Sequence, residues 1–147
     1  AIAGSKLVMS TGTVLQVVVG ETTTQTVMNS TTYTQTAISA SITPSSTSSK
    51  ILVQLTSNLE SNAAGERAKY AIYRGSTNIA ESHTLQASGA SGSSVFPIAL
   101  QKLDSPNTTN ATTYALYIQR TSSTVVANIN ADSNTSNGTI TLMEIAV

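Results

Sequence analysis

The sequence predicts an all-β domain, an antiparallel sandwich of the jelly-roll kind, and three observations predict it. Apolar residues recur with period 2 in segment after segment, helix signals are nearly absent, and turn-forming clusters punctuate the chain at short intervals. Roughly eight to ten short strands with turns about every 8–12 residues is the signature of a sandwich or jelly roll. The 147 residues suit a single domain, 1–147. Residues 1–12 read as an extended N-terminal arm. The stretch Ala1 to Gly12 lacks the basic region and apolar core of a signal peptide, and a start at Ala is expected of a trimmed or processed end.

The elements follow in order. Thr13 to Val19 is a short apolar run carrying Val14, Leu15, Val17, Val18 and Val19. Tyr33 to Ile42 places Ile38, Ala40 and Ile42 on one face and Ser39 and Ser41 on the other. Tyr33 has the opposite parity, so it points away from that apolar face unless a bulge intervenes. Lys50 to Leu59 lines up Ile51, Val53 and Leu55. The stretch Asn62 to Ala71 is the best helix candidate, but Gly65 interrupts it and a loop is expected. Lys69 to Arg74 carries Tyr70, Ile72 and Tyr73. Ser94 to Leu103 carries Phe96, Ile98 and Leu100, and Pro97 marks an edge or a bulge because it cannot donate to a ladder. Thr113 to Arg120 puts Tyr114, Leu116 and Ile118 on one face and Ala115, Tyr117 and Gln119 on the other. Val125, Ala127 and Ile129 form a further period-2 set. Gly138 to Ala146 closes the chain with Ile140, Leu142, Met143 and Ile145. Turns are expected at Pro44-Ser45-Ser46, Arg74-Gly75-Ser76, Ser88 to Gly92, Asp104 to Asn107 and Ser133 to Gly138.

Composition excludes several functions. Charged residues make up 10% of the chain, against about 25% in an average domain, and seven basic residues balance seven acidic ones. The basic residues are scattered, without the stripe a nucleic-acid binder carries. No apolar run approaches the roughly 20 residues of a membrane helix. With no cysteine, neither disulfides nor thiolate metal sites are available, so packing or oligomerisation must supply stability. Ser and Thr fill roughly a third of the chain. Mucin-like stalks have that bias but need Pro and lack spaced aliphatics. Here Thr reads as a β-former on solvent faces, a surface common in extracellular and virion proteins.

No constellation for catalysis is legible. His83 is the only histidine, with Asp104 and Asp132 as conceivable acids, and no Gly-x-Ser-x-Gly elbow accompanies it. It is read as a solvated loop residue. The acids Glu21, Glu60, Glu66, Glu81, Asp104, Asp132 and Glu144 form no recognisable glycosidase pair. Asp132-Ser133-Asn134 lacks calcium-loop spacing. Leu103-Asp104-Ser105-Pro106-Asn107 is a turn motif in which the carboxylate caps backbone N–H groups, and Lys50 is a candidate partner for Asp104 or Glu144. The Asn-x-Ser/Thr sequons at Asn29, Asn107, Asn110, Asn134 and Asn137 are expected to stay bare. No cofactor and no metal is expected. Tyr70 and Tyr73 have opposite parity, as do Tyr114 and Tyr117. One of each pair is expected in the core and the other outward or at a subunit interface.

Five segments carry a resemblance. They are Val14-Leu15-Gln16-Val17-Val18, Ile42 through Val53 with its Thr43-Pro44-Ser45-Ser46 start, Tyr73-Arg74-Gly75-Ser76-Thr77-Asn78-Ile79-Ala80, Leu103-Asp104-Ser105-Pro106-Asn107-Thr108-Thr109, and Thr139-Ile140-Thr141-Leu142-Met143-Glu144-Ile145. In this order, and over nearly the whole chain, the sequence resembles phage structural proteins, especially tail-fibre and receptor-binding regions of marine and cyanobacterial phages. The resemblance implies a β-sandwich that trimerises in an extracellular virion, with no catalytic residue carried over. The first and last strands are apolar on both sides, so one face can serve the monomer core and the other a neighbour. Leu142, Met143, Ile145 and Val17 are the expected interface residues, and Glu66, Arg67 and His83 the expected receptor-facing loop. Partners would be two further copies, other virion proteins, and a host surface glycan or protein. The alternatives are a capsid-decoration protein and, less favoured, a polysaccharide-degrading enzyme.

Overall fold

The computed structural model describes residues 10–61, 67–85, 94–121, 127–129 and 137–147. Among these there is no helix. Ten strands appear: β1 (Val14–Thr22), β2 (Thr26–Met28), β3 (Thr34–Ile42), β4 (Lys50–Ser61), β5 (Arg67–Arg74), β6 (Thr77–Leu85), β7 (Ser94–Asp104), β8 (Thr112–Arg120), β9 (Ala127–Ile129) and β10 (Gly138–Ile145). All pairings are antiparallel.

The strands form two sheets. In sheet A the long strand β4 pairs with β7 along one edge, Ile51 through Ser61. Its other edge is shared end to end by β10, opposite residues 50–56, and β9, opposite residues 59–61. β1 lies beyond β10 and β2 beyond β9. At any level sheet A is therefore four strands wide. Sheet B has the order β3-β8-β5-β6.

The period-2 pattern explains what lies between the sheets. From sheet A come Ile51, Val53, Leu55, Leu59, Ile98, Ile140, Leu142 and Met28. From sheet B come Ile38, Ile42, Ala68, Tyr70, Ile72, Tyr114, Leu116 and Ile118. Burial of such side chains contributes about 1.5–3 kcal/mol each, which is how a chain without cross-links holds together. Tyr70 and Tyr114 are the core members of their pairs, and Tyr73 and Tyr117 point outward, as their parity requires.

Three irregularities adjust the pattern. In β3, four residue steps from Gln35 to Ser39 span what β8 covers in two steps, from Tyr117 to Ala115. An even insertion keeps the alternation in phase, so the Tyr33 side of the strand stays outward. Single-residue bulges fall at Leu15 in β1 and Ile79 in β6. Pro97 sits opposite Asn58 in β7, an edge strand, the position in a sheet that tolerates a residue without an N–H. The turn at Arg74-Gly75-Ser76 forms with Gly75 at φ 55°, and Asn107 takes the left-handed conformation at φ 54° in the turn after β7.

Two expectations are corrected. Residues 67–71 are not loop but the first part of β5, paired on both edges, so the helix signal around Ala68 and Ala71 is overridden by ladder pairing. His83 is not in a loop but in β6, opposite Lys69. β2 and β6 are strands that the apolar pattern does not announce.

At Gly20 the two sheets approach closely. A Cβ there would overlap the backbone carbonyl of Ser39 and lie 3.1 Å from the Cβ of Ala40. Gly→Ala in a strand ordinarily stabilises, by about 0.4–1 kcal/mol. Here steric overlap with backbone wins, and Gly20→Ala should destabilise by about 1–3 kcal/mol. Equilibrium denaturation measures this, and an unchanged or raised midpoint would contradict the tight β1–β3 seam.

Candidate functional site

Two outward faces and two buried carboxylates are the places where this fold concentrates chemistry. On sheet A, register stacks one row of outward apolar side chains across four strands. Val17 of β1 faces Met143 of β10, Met143 faces Leu52 of β4, and Leu52 faces Leu103 of β7. Val17 is 53% exposed and Leu103 50%. Val19, also exposed, lies in the next row opposite Thr141, and Ile145 faces Val14. Val17, Met143 and Ile145 therefore share the outer face. Leu142, expected with them, lies in the core at 0% exposure and has no surface to offer a neighbour. Leu52 and Leu103 complete the row; the period-2 parity of their strands was the available signal.

On sheet B the outward face is aromatic and polar. Gln35, Tyr117, Ala71 and Glu81 form one row across β3, β8, β5 and β6, and Ser39, Ala115, Tyr73 and Asn78 the next. Tyr73 and Tyr117 stack at 4.1 Å between ring centroids, and Tyr33 tilts against Tyr73 at 5.6 Å. Ala71 and Ala115 are buried although they face outward, because each lies directly opposite one of the stacked tyrosines. The Tyr33 hydroxyl donates to Glu81 Oε2 at 3.1 Å, the Asn78 amide donates to the same oxygen at 3.0 Å, and the Tyr117 hydroxyl donates to Gln35 Oε1 at 3.1 Å. Partial burial, then the Glu81 hydrogen bond and charge, push the Tyr33 phenol above its ordinary pKa, so it remains a donor at any physiological pH.

Arg67 and His83 also belong to this outer face, on adjoining strands, with Lys69 directly opposite His83. Glu66, the third residue of the expected receptor loop, lies outside the described residues, as do Asp132 and Asn134. His83 is exposed on β6 of sheet B, and Asp104 ends β7 of sheet A, bonded to Arg74 and Tyr114. Among the described residues no group of three or more His, Asp or Glu side chains is placed to hold a metal, and no helix is long and apolar enough to cross a membrane.

The buried carboxylates are structural. Asp104, at the end of β7, accepts from Arg74 Nη1 at 2.8 and 3.0 Å and from the Tyr114 hydroxyl at 2.8 Å. Arg74 also reaches the Ser105 carbonyl at 3.2 Å. The turn motif thus serves as a cross-sheet tie, with Arg74 and Tyr114 as its partners in place of the expected turn amides. Burial, then the Asp104 bond, raises the Tyr114 pKa above its ordinary range. Glu144 points inward with Ile140 and Leu142. Its Oε1 accepts from the Ser45 N–H and hydroxyl, each at 2.7 Å, and its Oε2 from the Gln16 amide at 2.6 Å. Gln16 also donates to the Thr43 carbonyl at 2.8 Å. Lys50 is the partner of neither acid; it lies opposite Ile145 on the outer face.

Comparison with known proteins finds no family model that matches the chain and no curated protein with a matching sequence.

Proposed function

We propose that the chain is a non-enzymatic structural or adhesive module of a phage particle, a fibre or receptor-binding domain that works as a homotrimer. The observation that carries the reading is the outward row Val17–Met143–Leu52–Leu103. Four large apolar side chains aligned across four strands form a contiguous stripe, and such stripes mark interaction surfaces when they are left to water. A chain with 10% charged residues and no cysteine gains both solubility and stability by covering that stripe with its own copies, and closed cyclic symmetry is the usual solution. The resemblance to tail-fibre and receptor-binding regions favours three-fold symmetry.

The strand order supports a jelly-roll winding. With β1–β2 and β9–β10 each counted as one interrupted rail, the eight rails run 1-8-3-6 in sheet A and 2-7-4-5 in sheet B. Two nested Greek keys give that order.

Native mass spectrometry at micromolar concentration should give a trimer. Val17→Asp combined with Met143→Asp should give a folded monomer, because both side chains point away from the core. A wild-type monomer, or an assembly indifferent to the two aspartates, would overturn the assignment. Labelling intact particles then separates the two virion roles. Signal at the tail supports a fibre, and signal at capsid three-fold positions replaces it with a decoration protein.

A further inference from the structure

We propose that the outer face of sheet B carries a glycan-binding site, formed by Tyr33, Tyr73 and Tyr117 around Glu81, whose ligand is a neutral hexose oligosaccharide. The proposal rests on the adhesive reading above and gives it a ligand class.

The chain has six aromatic residues, five Tyr and one Phe, and three of them converge on this one solvent face. Core packing does not account for that placement. The core takes its aromatic volume from Tyr70 and Tyr114 on the opposite parity. Cross-strand stacking explains the pair Tyr73–Tyr117, but not the recruitment of Tyr33 from just before β3, nor the planar polar groups gathered at the same place.

Those groups are Glu81, Asn78 and Gln35, each bonded within the patch, and Gln119, whose amide donates to the Thr31 carbonyl. Carboxylate and carboxamide side chains present paired acceptors or an acceptor beside a donor, which matches two adjacent hydroxyls on a sugar ring. The aromatic rings suit the other half of a sugar. Their electron-rich faces attract the weakly positive axial C–H groups on the apolar side of a pyranose. Tyr33 and Asn78 hold Glu81 through a single oxygen, Oε2, which leaves its second oxygen to accept from a hydroxyl. The charge in the same row as Tyr117 is this carboxylate, with Lys69 one row further along, opposite Gln119 and His83; at the rings an acidic sugar would meet like charge, and a neutral one is favoured there.

The test uses the full chain with neutral hexasaccharides of glucose, galactose and mannose, and an oligogalacturonate of equal length as the acidic probe. Titration calorimetry supplies the affinity and thermal melting checks that each variant is folded. At least one neutral oligomer should bind, and more tightly than the oligogalacturonate. Tyr73→Ala or Tyr117→Ala should weaken it about two- to tenfold, the worth of one aromatic contact. Tyr73→Phe, which keeps the ring, should stay near wild type, and Glu81→Gln should weaken binding while leaving melting unchanged. No binding to any neutral oligomer, binding unaffected by the two alanines, or preference for the acidic probe would each overturn the proposal. Failure here leaves the trimer and its particle location measurable on their own, so a fibre module that reads a protein receptor would be told apart from a chain that is no virion module.

Discussion

Replacing Glu144 with alanine should cost about 3–5 kcal/mol, among the largest single-residue effects available in this chain. The side chain is 1% exposed, yet it is fully engaged. Burial by itself would raise its pKa, but donors on Gln16, Ser45 and Ser49, with the Ser45 N–H, outweigh that and hold the carboxyl at about 2. Removing the acceptor leaves these donors without a partner and frees the 43–49 connection between the two sheets. The pH dependence has a definite sign. An unfolded Glu titrates near 4.3, above the folded value, so the unfolded state binds the proton first and the contribution is complete above about pH 5. It is lost as pH falls through the window from about 4.5 to about 2. On the order of 3 kcal/mol is at stake. Urea denaturation of wild type and Glu144→Gln across that window checks it. The stability gap should be wide at pH 7 and narrow steadily on acidification; a gap independent of pH would contradict the assignment.

Asp104→Ala should cost about 2–4 kcal/mol, a melting-temperature drop of roughly 3–4 °C per kcal/mol for a domain of this size. Asp104 is 8% exposed and Tyr114 0%, so the substitution strands a buried hydroxyl as well as the Arg74 guanidinium. Arg74 keeps part of its side chain in water, and its share is correspondingly smaller. Tyr114→Phe should cost about 1–1.5 kcal/mol, because Arg74 still neutralises the carboxylate. The double variant should fall short of the sum, since both changes remove the same bond. Strict additivity in a double-mutant cycle would show that the 2.8 Å contact contributes nothing to folding.

These two acids show where sequence reasoning reaches and where it stops. The alternation in β3, β4, β8 and β10 reveals which residues enter the core, because one face of each strand is paved with Ile, Leu, Val or Tyr. β6 escapes notice because its inward positions are Ala80, Ser82 and Thr84, small and polar residues at a sheet edge. β2 is too short to show a period. Glu144 could have been found, since it shares inward parity with Ile140 and Leu142, and a carboxylate among aliphatics requires donors. Its donors lie some hundred residues away at Ser45 and Gln16, and no local pattern names them. Asp104 was legible as structural, but its Arg74 partner depends on how sheet A lies over sheet B. The outward positions of Tyr73 and Tyr117 follow from parity, while their meeting with Tyr33 follows from the strand order β3-β8-β5.

The position of β10 between β1 and β4 has a consequence for how the protein is made. Val17 and Leu52 both depend on Met143 for the ladder that joins their strands. β10 follows β1 and β4 in the chain, so their facing edges find their partner only once residues 138–145 are present. Sheet A can therefore close only after translation of residues 138–145, and no N-terminal fragment can complete it. Such distant pairing is slow and keeps edges available to other nascent copies in the meantime. Completion of sheet A is thus set by β10, the strand that joins β1 to β4.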